Sequence, residues 1–235
     1  DATSGNTGIA YAMLGAALGY RVKLVLPGNL GPTHRRILTA YGAELVLSNP
    51  QESSDGAIRL ARKLYAESPG AYFYADQYEN PANWQAHYHG TGLEIWQQTR
   101  GRVTHWVAGL GTSGTFMGTA KRLKALDPAI QCLAVQPDSP LHGLEGLKHM
   151  PTSLVPGIYD PTLPDQILEV GTEEAQAAVR RAAREEGLLL GLSAGAALAA
   201  SLRVARGLSA GVVVTVFPDG AFKYFEQSFW QEGPA

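Results

Sequence analysis

Cysteine occurs once in this sequence, at Cys132, so no internal disulfide can form. The residue lies in an apolar strand pattern and reads as a small core side chain, a usage that fits a reducing cytosol. Charge is sparse too. Charged residues make up 17% of the chain and the formal net charge is -2, which leaves no basic field for nucleic acid or anionic lipid. No apolar run is long enough to span a membrane, and no signal peptide is expected before the fold. His87 and His89 are two apart on a helical pattern, and His34, His105, His142 and His149 are scattered. With no cysteine or carboxylate cluster to join them, no metal site is expected and all six read as solvated or core residues. No G-x-S-x-G elbow is present, so a serine-hydrolase triad lacks support. What remains is a globular chain of 235 residues whose partners are expected to be small molecules.

The most informative stretch is Gly111-Thr112-Ser113-Gly114-Thr115, between an apolar run ending Trp106-Val107-Ala108 and a helical pattern from Phe116 to Leu126. A strand that turns into a helix at glycines and hydroxyls aims unpaired N–H groups and the positive end of the helix dipole at one point. That point suits a phosphate monoester. Read from Gly109, the same residues spell the dinucleotide fingerprint G-x-G-x-x-G. The next strand pattern, Ile130 to Val135, ends in Gln136-Pro137 without the acid that would hold a ribose, which counts against a dinucleotide and leaves that reading open.

Two further turns share this chemistry. Thr3 to Thr7 opens a helix with Ile9, Met13, Ala16 and Ala17 on one face, and Gly191-Leu192-Ser193-Ala194-Gly195 opens another. Strands are expected at 22–26, 43–47, 71–74, 103–108, 130–135, 166–170 and 212–217, the last apolar but for Thr215 and therefore central. Helices are expected from Thr33 as cap to Tyr41, over 53–67, as one long element over 82–99, and over 173–186. A proline-rich stretch over 136–162 is longer than an ordinary connection. Strands alternating with helices imply an α/β protein with mostly parallel sheets. The division expected is a partial N-terminal small domain over 1–80 and a C-terminal cofactor-binding domain over 81–235. Because Asp1 leads almost directly into a helix-start turn, with no initiator methionine, a preceding strand is expected upstream of the numbered residues.

Taken together, Thr3-Ser4-Gly5-Asn6-Thr7-Gly8, Gln77 with Asn80-Pro81-Ala82-Asn83, Gly111 to Thr115 and Gly191 to Gly195 resemble, in order and spacing, the cysteine synthase (O-acetylserine sulfhydrylase) family. Pro156-Gly157-Ile158 brings the resemblance nearer to its B-type members than to its A-type members. The resemblance implies the tryptophan synthase β-like architecture of fold type II pyridoxal-phosphate enzymes, with two three-layer domains. It implies pyridoxal 5'-phosphate as cofactor, its phosphate held by Gly111, Thr112, Ser113, Gly114 and Thr115, its phenolic oxygen by Asn6 and its ring nitrogen by Ser193. Thr3, Ser4, Gly5, Thr7 and Gln77 would receive the substrate carboxylate. The implied reaction is β-replacement, from O-acetylserine and sulfide through an aminoacrylate to cysteine, in a cytoplasmic homodimer.

One departure stands out. The family's Schiff-base lysine precedes the Asn6 loop, and Lys23, Lys63, Lys121, Lys124, Lys148 and Lys223 do not occupy that motif, so the lysine is expected upstream of Asp1. Lys148 and His149 fall where B-type members carry basic residues near the entrance for the sulfur donor. Cystathionine β-synthase chemistry or a serine/threonine dehydratase are enzymatic alternatives, and a lysine-less binding module or a nicotinamide oxidoreductase are alternatives of other classes.

Overall fold

The computed structural model of the chain describes residues 1–3 and 5–231, which fall into two compact units, Asp1–Gln77 and Tyr78–Ala235. The first unit runs α1 (Asn6–Leu18), β1 (Lys23–Pro27), α2 (Pro32–Ala40), β2 (Glu44–Ser48) and α3 (Ser53–Glu67). β1 and β2 pair in parallel with Lys23 opposite Glu44, and Ala2 adds a parallel bridge to Val25 on the other side of β1. Ala2 therefore lies as a strand stub ahead of α1. Leu24, Leu26 and Leu38 are buried with Ala12 as the core of this unit, each leucine contributing about 1.5–3 kcal/mol.

In α1 the buried positions are Gly8, Ala12 and Gly15, while Met13 is 45% exposed and Ala16 and Ala17 are exposed. Of the apolar face expected from Ile9, Met13, Ala16 and Ala17, Ile9 packs against the core and the other three are turned outward. The reason is steric. A Cβ on Gly8 would enter the Thr3 methyl, and one on Gly15 would enter the Val22 side chain, so the helix approaches β1 on its smallest residues. α2 is capped at Gly31 with Pro32 in its first turn, not by Thr33. Residues 71–74 form no ladder. Phe73 points to solvent, and Tyr74 instead stacks with Tyr65 at 5.3 Å between ring centres.

The second unit runs α4 (Ala82–His89), α5 (Thr91–Gln98), β3 (His105–Gly109), α6 (Gly114–Leu126), β4 (Gln131–Pro137), β5 (Gln166–Val170), α7 (Thr172–Glu186), α8 (Leu192–Arg206) and β6 (Val213–Thr215). The sheet is parallel throughout, in the order β5-β4-β3-β6. Alternation along β3 and β4 sorts the core into two layers. Trp106, Ala108, Cys132 and Ala134 pack with Phe116, Met117 and Ala120 of α6, whereas Val107, Leu133 and Val135 pack with Val179 of α7 and Ala196 and Ala200 of α8. This is a sheet covered on both faces. Among the described residues β6, expected at the centre, lies at the edge of the ladder. An edge strand covered on both faces is as apolar as a central one, so composition alone does not separate them. The single helix expected over 82–99 breaks at Gly90, where a Cβ would come 2.9 Å from the Ala86 carbonyl oxygen.

Candidate functional site

β3 ends at Gly109, and Leu110 to Ser113 carry the chain over the carboxyl edge of the sheet into α6. Ser113 is the N-cap residue of α6 and has φ 72°, a left-handed conformation unusual for a residue with a side chain. It makes no side-chain cap, and its Oγ is buried without a hydrogen-bond partner. A buried orphan hydroxyl costs about 1–3 kcal/mol unless something satisfies it. Here it sits at a helix N-terminus with no acidic residue in the first turn, so the dipole is left uncompensated. α1, α2, α4 and α8 share that lack, whereas α3, α5 and α7 carry Asp55, Glu94, and Glu173 with Glu174 in their first turns. Lack of a first-turn acid therefore does not single out the α1, α6 and α8 turns; the buried, unsatisfied Ser113 hydroxyl does distinguish the α6 turn.

Two groups brace the phosphate-type turn. On one side, the segment after β4 folds over it: Lys148 N donates to the Leu110 carbonyl oxygen at 2.7 Å, Gly111 lies against the Gly146 carbonyl, and Gly109 against Leu147. On the other side lies α4. Asn83 Nδ2 donates to Thr112 Oγ1 at 3.0 Å, and His87 Nε2 lies 3.2 Å from Thr115 Oγ1. The other ring nitrogen of His87, Nδ1, lies 3.0 Å from Thr91 Oγ1. Burial holds the His87 imidazole below its ordinary pKa, so the ring is neutral at neutral pH. Gly114 and Gly118, one turn apart on α6, permit this approach, since a Cβ on either would collide with Asn83 or with the backbone of Trp84.

Ser193 is buried at the second helical position of α8. The turn before it is fastened to the exit of β6: Gly191 N donates to the Asp219 carbonyl oxygen at 3.1 Å, and Leu190 bridges Gly220. The Asp219 carboxylate accepts from Tyr224 Oη at 2.7 Å and pairs with Lys223 Nζ at 3.0 Å. Close by, burial and the Asp219 charge raise the Glu145 pKa, with Lys223 acting the other way. Because β3 and β6 are neighbours, the turns holding Thr112 and Ser193 lie at one edge of one sheet, each followed by a helix on the opposite face. Ligands of parallel sheets collect at such an edge.

In the first unit, Thr3 Oγ1 accepts from Gly5 N and Gly8 N, both at 3.1 Å. It thus builds the turn, with its own proton left to donate. Gly5 has φ 149°, and a Cβ there would lie 2.8 Å from the buried His34 ring. Asn6 and Thr7 are the first two residues of α1. Gln77 is buried beside this turn, its Nε2 donating to the Ala2 carbonyl oxygen at 2.6 Å and its N–H to Asp1 Oδ2 at 3.1 Å. Thr3, Gly5, Asn6, Thr7 and Gln77 therefore group in one unit, and Gly111 to Thr115 with Ser193 in the other. Ser4 lies outside the described residues.

Sequence reading missed Asn83 and His87 as parts of the site. Their four-residue spacing puts both on one face of α4, but only the packing of that face on α6 brings them to the turn. Lys148, expected with His149 near the entrance for the sulfur donor, is buried with its ammonium 5.4 Å from the centre of the Tyr78 ring, and His149 Nδ1 is 2.8 Å from Thr152 Oγ1. The remaining lysines are engaged elsewhere or exposed: Lys23 with Glu44, Lys121 over Trp84, Lys124 with Asp165, Lys223 with Asp219, and Lys63 beside Glu67. Among the described residues no cluster of three or more metal-ligating side chains occurs, and no helix is long and apolar enough to cross a membrane.

Residues 1–219 match the model of a family described as "Pyridoxal-phosphate dependent enzyme". The chain is similar to the cysteine synthase of Aquifex aeolicus, at 51% identity over 99% of this chain and 72% of that protein. Similarity to the cysteine synthase B of Pseudomonas aeruginosa is 42% over 98% of this chain and 76% of that protein. The cysteine synthase structure from Entamoeba histolytica superposes with a TM-score of 0.89 at 33% identity, over 100% of this chain and 71% of that one.

Proposed function

The chain belongs to the pyridoxal-phosphate dependent enzymes and, among them, to the cysteine synthase family; from that premise we propose that it makes L-cysteine from O-acetylserine and sulfide by β-replacement. The observation that carries the cofactor reading is the Ser113 hydroxyl, buried and unsatisfied at the mouth of a helix whose first turn has no acid. A phosphate supplies the acceptor it lacks, so the residues present fit the group.

In this reading Gly111, Thr112, Ser113, Gly114 and Thr115 hold the phosphate, Ser193 bonds the ring nitrogen and Asn6 the phenolic oxygen. When bound, pyridoxal phosphate supplies an electron sink for the pair released as the α-proton leaves. Ser193 sets how deep that sink is. A hydroxyl offers no counter-charge to a protonated ring nitrogen, so the sink stays shallow, which favours elimination of a β-leaving group. Thr3, Ser4, Gly5, Thr7 and Gln77 receive the substrate carboxylate and so fix the direction of the α-proton. Thr3 does this with its proton, because both its lone pairs are taken by N–H groups of the turn. None of the six lysines of this chain is assigned as the base that moves the α-proton.

The dinucleotide reading of Gly109 to Gly114 gives way to the family membership. The substrates proposed are small molecules only, with neither nucleic acid nor membrane as partner, and the protein is proposed to be a cytoplasmic homodimer. Light scattering of the natural full-length protein checks the dimer.

The reaction is tested on that full-length protein by absorbance before and after borohydride reduction, with intact and peptide mass. A visible cofactor band, and a reduced-cofactor adduct on a lysine other than the six numbered here, are expected. No band and no adduct would leave a binding module. With the cofactor present, a faster second half-reaction with homocysteine than with sulfide would move the assignment to cystathionine formation.

A further inference from the structure

Thr112 and Thr115 each carry one hydroxyl proton, and an anion at the turn is bonded only if those protons face it. What the hydroxyl oxygens accept from behind therefore decides whether the turn attracts or repels. Thr112 has both lone pairs filled, by Asn83 Nδ2 at 3.0 Å and Gly114 N at 3.4 Å, so its proton is the part left to offer. Thr115 depends on His87 Nε2, 3.2 Å away. A neutral imidazole has one N–H, so two arrangements exist. With the proton on Nδ1, Nε2 accepts the Thr115 proton and the threonine turns lone pairs toward the anion. With the proton on Nε2, the ring donates to Thr115 Oγ1 and frees the threonine proton. The bare Nδ1 then needs a donor, and the Thr91 hydroxyl, 3.0 Å away at the start of α5, is one.

We propose that α4 presets the phosphate turn: Asn83 and His87, one helical turn apart, both donate to threonine oxygens so that both hydroxyl protons face the phosphate, with His87 held as the Nε2–H tautomer by Thr91. The proposal rests on the cofactor reading of Gly111 to Thr115. His87 touches neither cofactor nor substrate in this scheme; it is a positioning residue acting through Thr115. The close approach it requires is built in, because Gly118 faces the His87 Cβ and the Tyr88 N–H where any side chain would collide.

The test uses the natural full-length protein labelled with ¹⁵N in histidine, carrying pyridoxal phosphate. Long-range ¹H–¹⁵N spectra distinguish a protonated from a bare ring nitrogen, and ³¹P spectra report whether the cofactor phosphate is immobilised. A bare Nδ1 and a protonated Nε2 at His87 are expected. His87→Phe, which offers no donor, should weaken cofactor retention about tenfold, the scale of one hydrogen bond to a charged group. His87→Gln, whose amide places a donor near the Nε2 position, should restore retention to within about threefold of wild type, on the scale of a partly recovered bond. A protonated Nδ1, or unchanged retention in His87→Phe, overturns the proposal with the cofactor site intact. Absence of an immobilised phosphate in the wild type overturns the cofactor reading itself. The tautomer is read on the wild type, so a variant that fails to fold does not remove the test.

Discussion

Ser113 shows how one residue can serve a ligand at the expense of the fold. Its φ of 72° costs a side-chain-bearing residue about 1–2 kcal/mol relative to glycine, and its buried hydroxyl has no protein partner. Ser113→Gly should therefore raise stability by about 1 kcal/mol, read in urea unfolding without cofactor. The same variant should hold pyridoxal phosphate several-fold more weakly, since the orphan donor is gone. A variant that is neither more stable nor weaker in cofactor binding would mean that Ser113 does not face the phosphate. Much of this was legible from sequence, because glycines and hydroxyls between an apolar run and a helical pattern announce a strand-to-helix turn. His87 was not legible, because nothing local separates a ring bracing Thr115 from one facing water. Only the packing of α4 on α6 decides it.

That packing belongs to the element scale and rests on two glycines. On Gly118 a Cβ would lie 2.7 Å from the His87 Cβ and 2.9 Å from the Tyr88 N, and would also enter the Trp84 carbonyl. Alanine favours the helix by about 1 kcal/mol over glycine, but overpacking against backbone costs about 1–3 kcal/mol and also displaces His87. Gly118→Ala should lower the unfolding free energy by about 1–2 kcal/mol and weaken cofactor retention with it. Gly207 is the control: its φ is negative, and a Cβ would meet only the Val204 carbonyl oxygen at 3.4 Å. There alanine should be neutral or stabilising by up to about 1 kcal/mol. Elements were read well where hydrophobic periodicity reports burial, as in α3 and β4, and poorly where it does not. α1 buries Gly8, Ala12 and Gly15 and exposes Met13 and Leu14, so a pattern based on large apolar residues selects the wrong face. β6 is apolar because helices cover both sides of its sheet, which says nothing about its place in the strand order.

At the scale of the whole molecule, alternating strands and helices made the α/β class readable, while the burial of titratable groups came only with the fold. Three groups of the second unit shifted chiefly by burial, His87, His142 and Glu145, bear on its response to mild acid. His87 and His142 both have pKa values lowered by burial, with His149 adding to the effect at His142. An imidazole lowered in the folded state takes up fewer protons there than in the unfolded chain. Its contribution is thus complete above the ordinary value of about 6.5 and is lost as pH falls through the folded value. Glu145 has the opposite sign. Burial, then the Asp219 charge, raise its pKa, so its contribution is present at low pH and is lost as pH rises through that raised value. Each group changes the unfolding free energy by at most about 1.4 kcal/mol per pH unit. Two histidines against one carboxyl should make the unit less stable at pH 5.5 than at pH 7.5. All four tryptophans, Trp84, Trp96, Trp106 and Trp230, lie in this unit, so urea unfolding followed by tryptophan fluorescence reports on it alone. His87→Gln should make the loss on acidification shallower, because one of the two protonating rings is gone. Glu145→Gln should make it steeper, because the opposing group is gone. Identical pH slopes in the wild type and both variants would mean that these side chains stay as hydrated in the folded protein as in the unfolded chain.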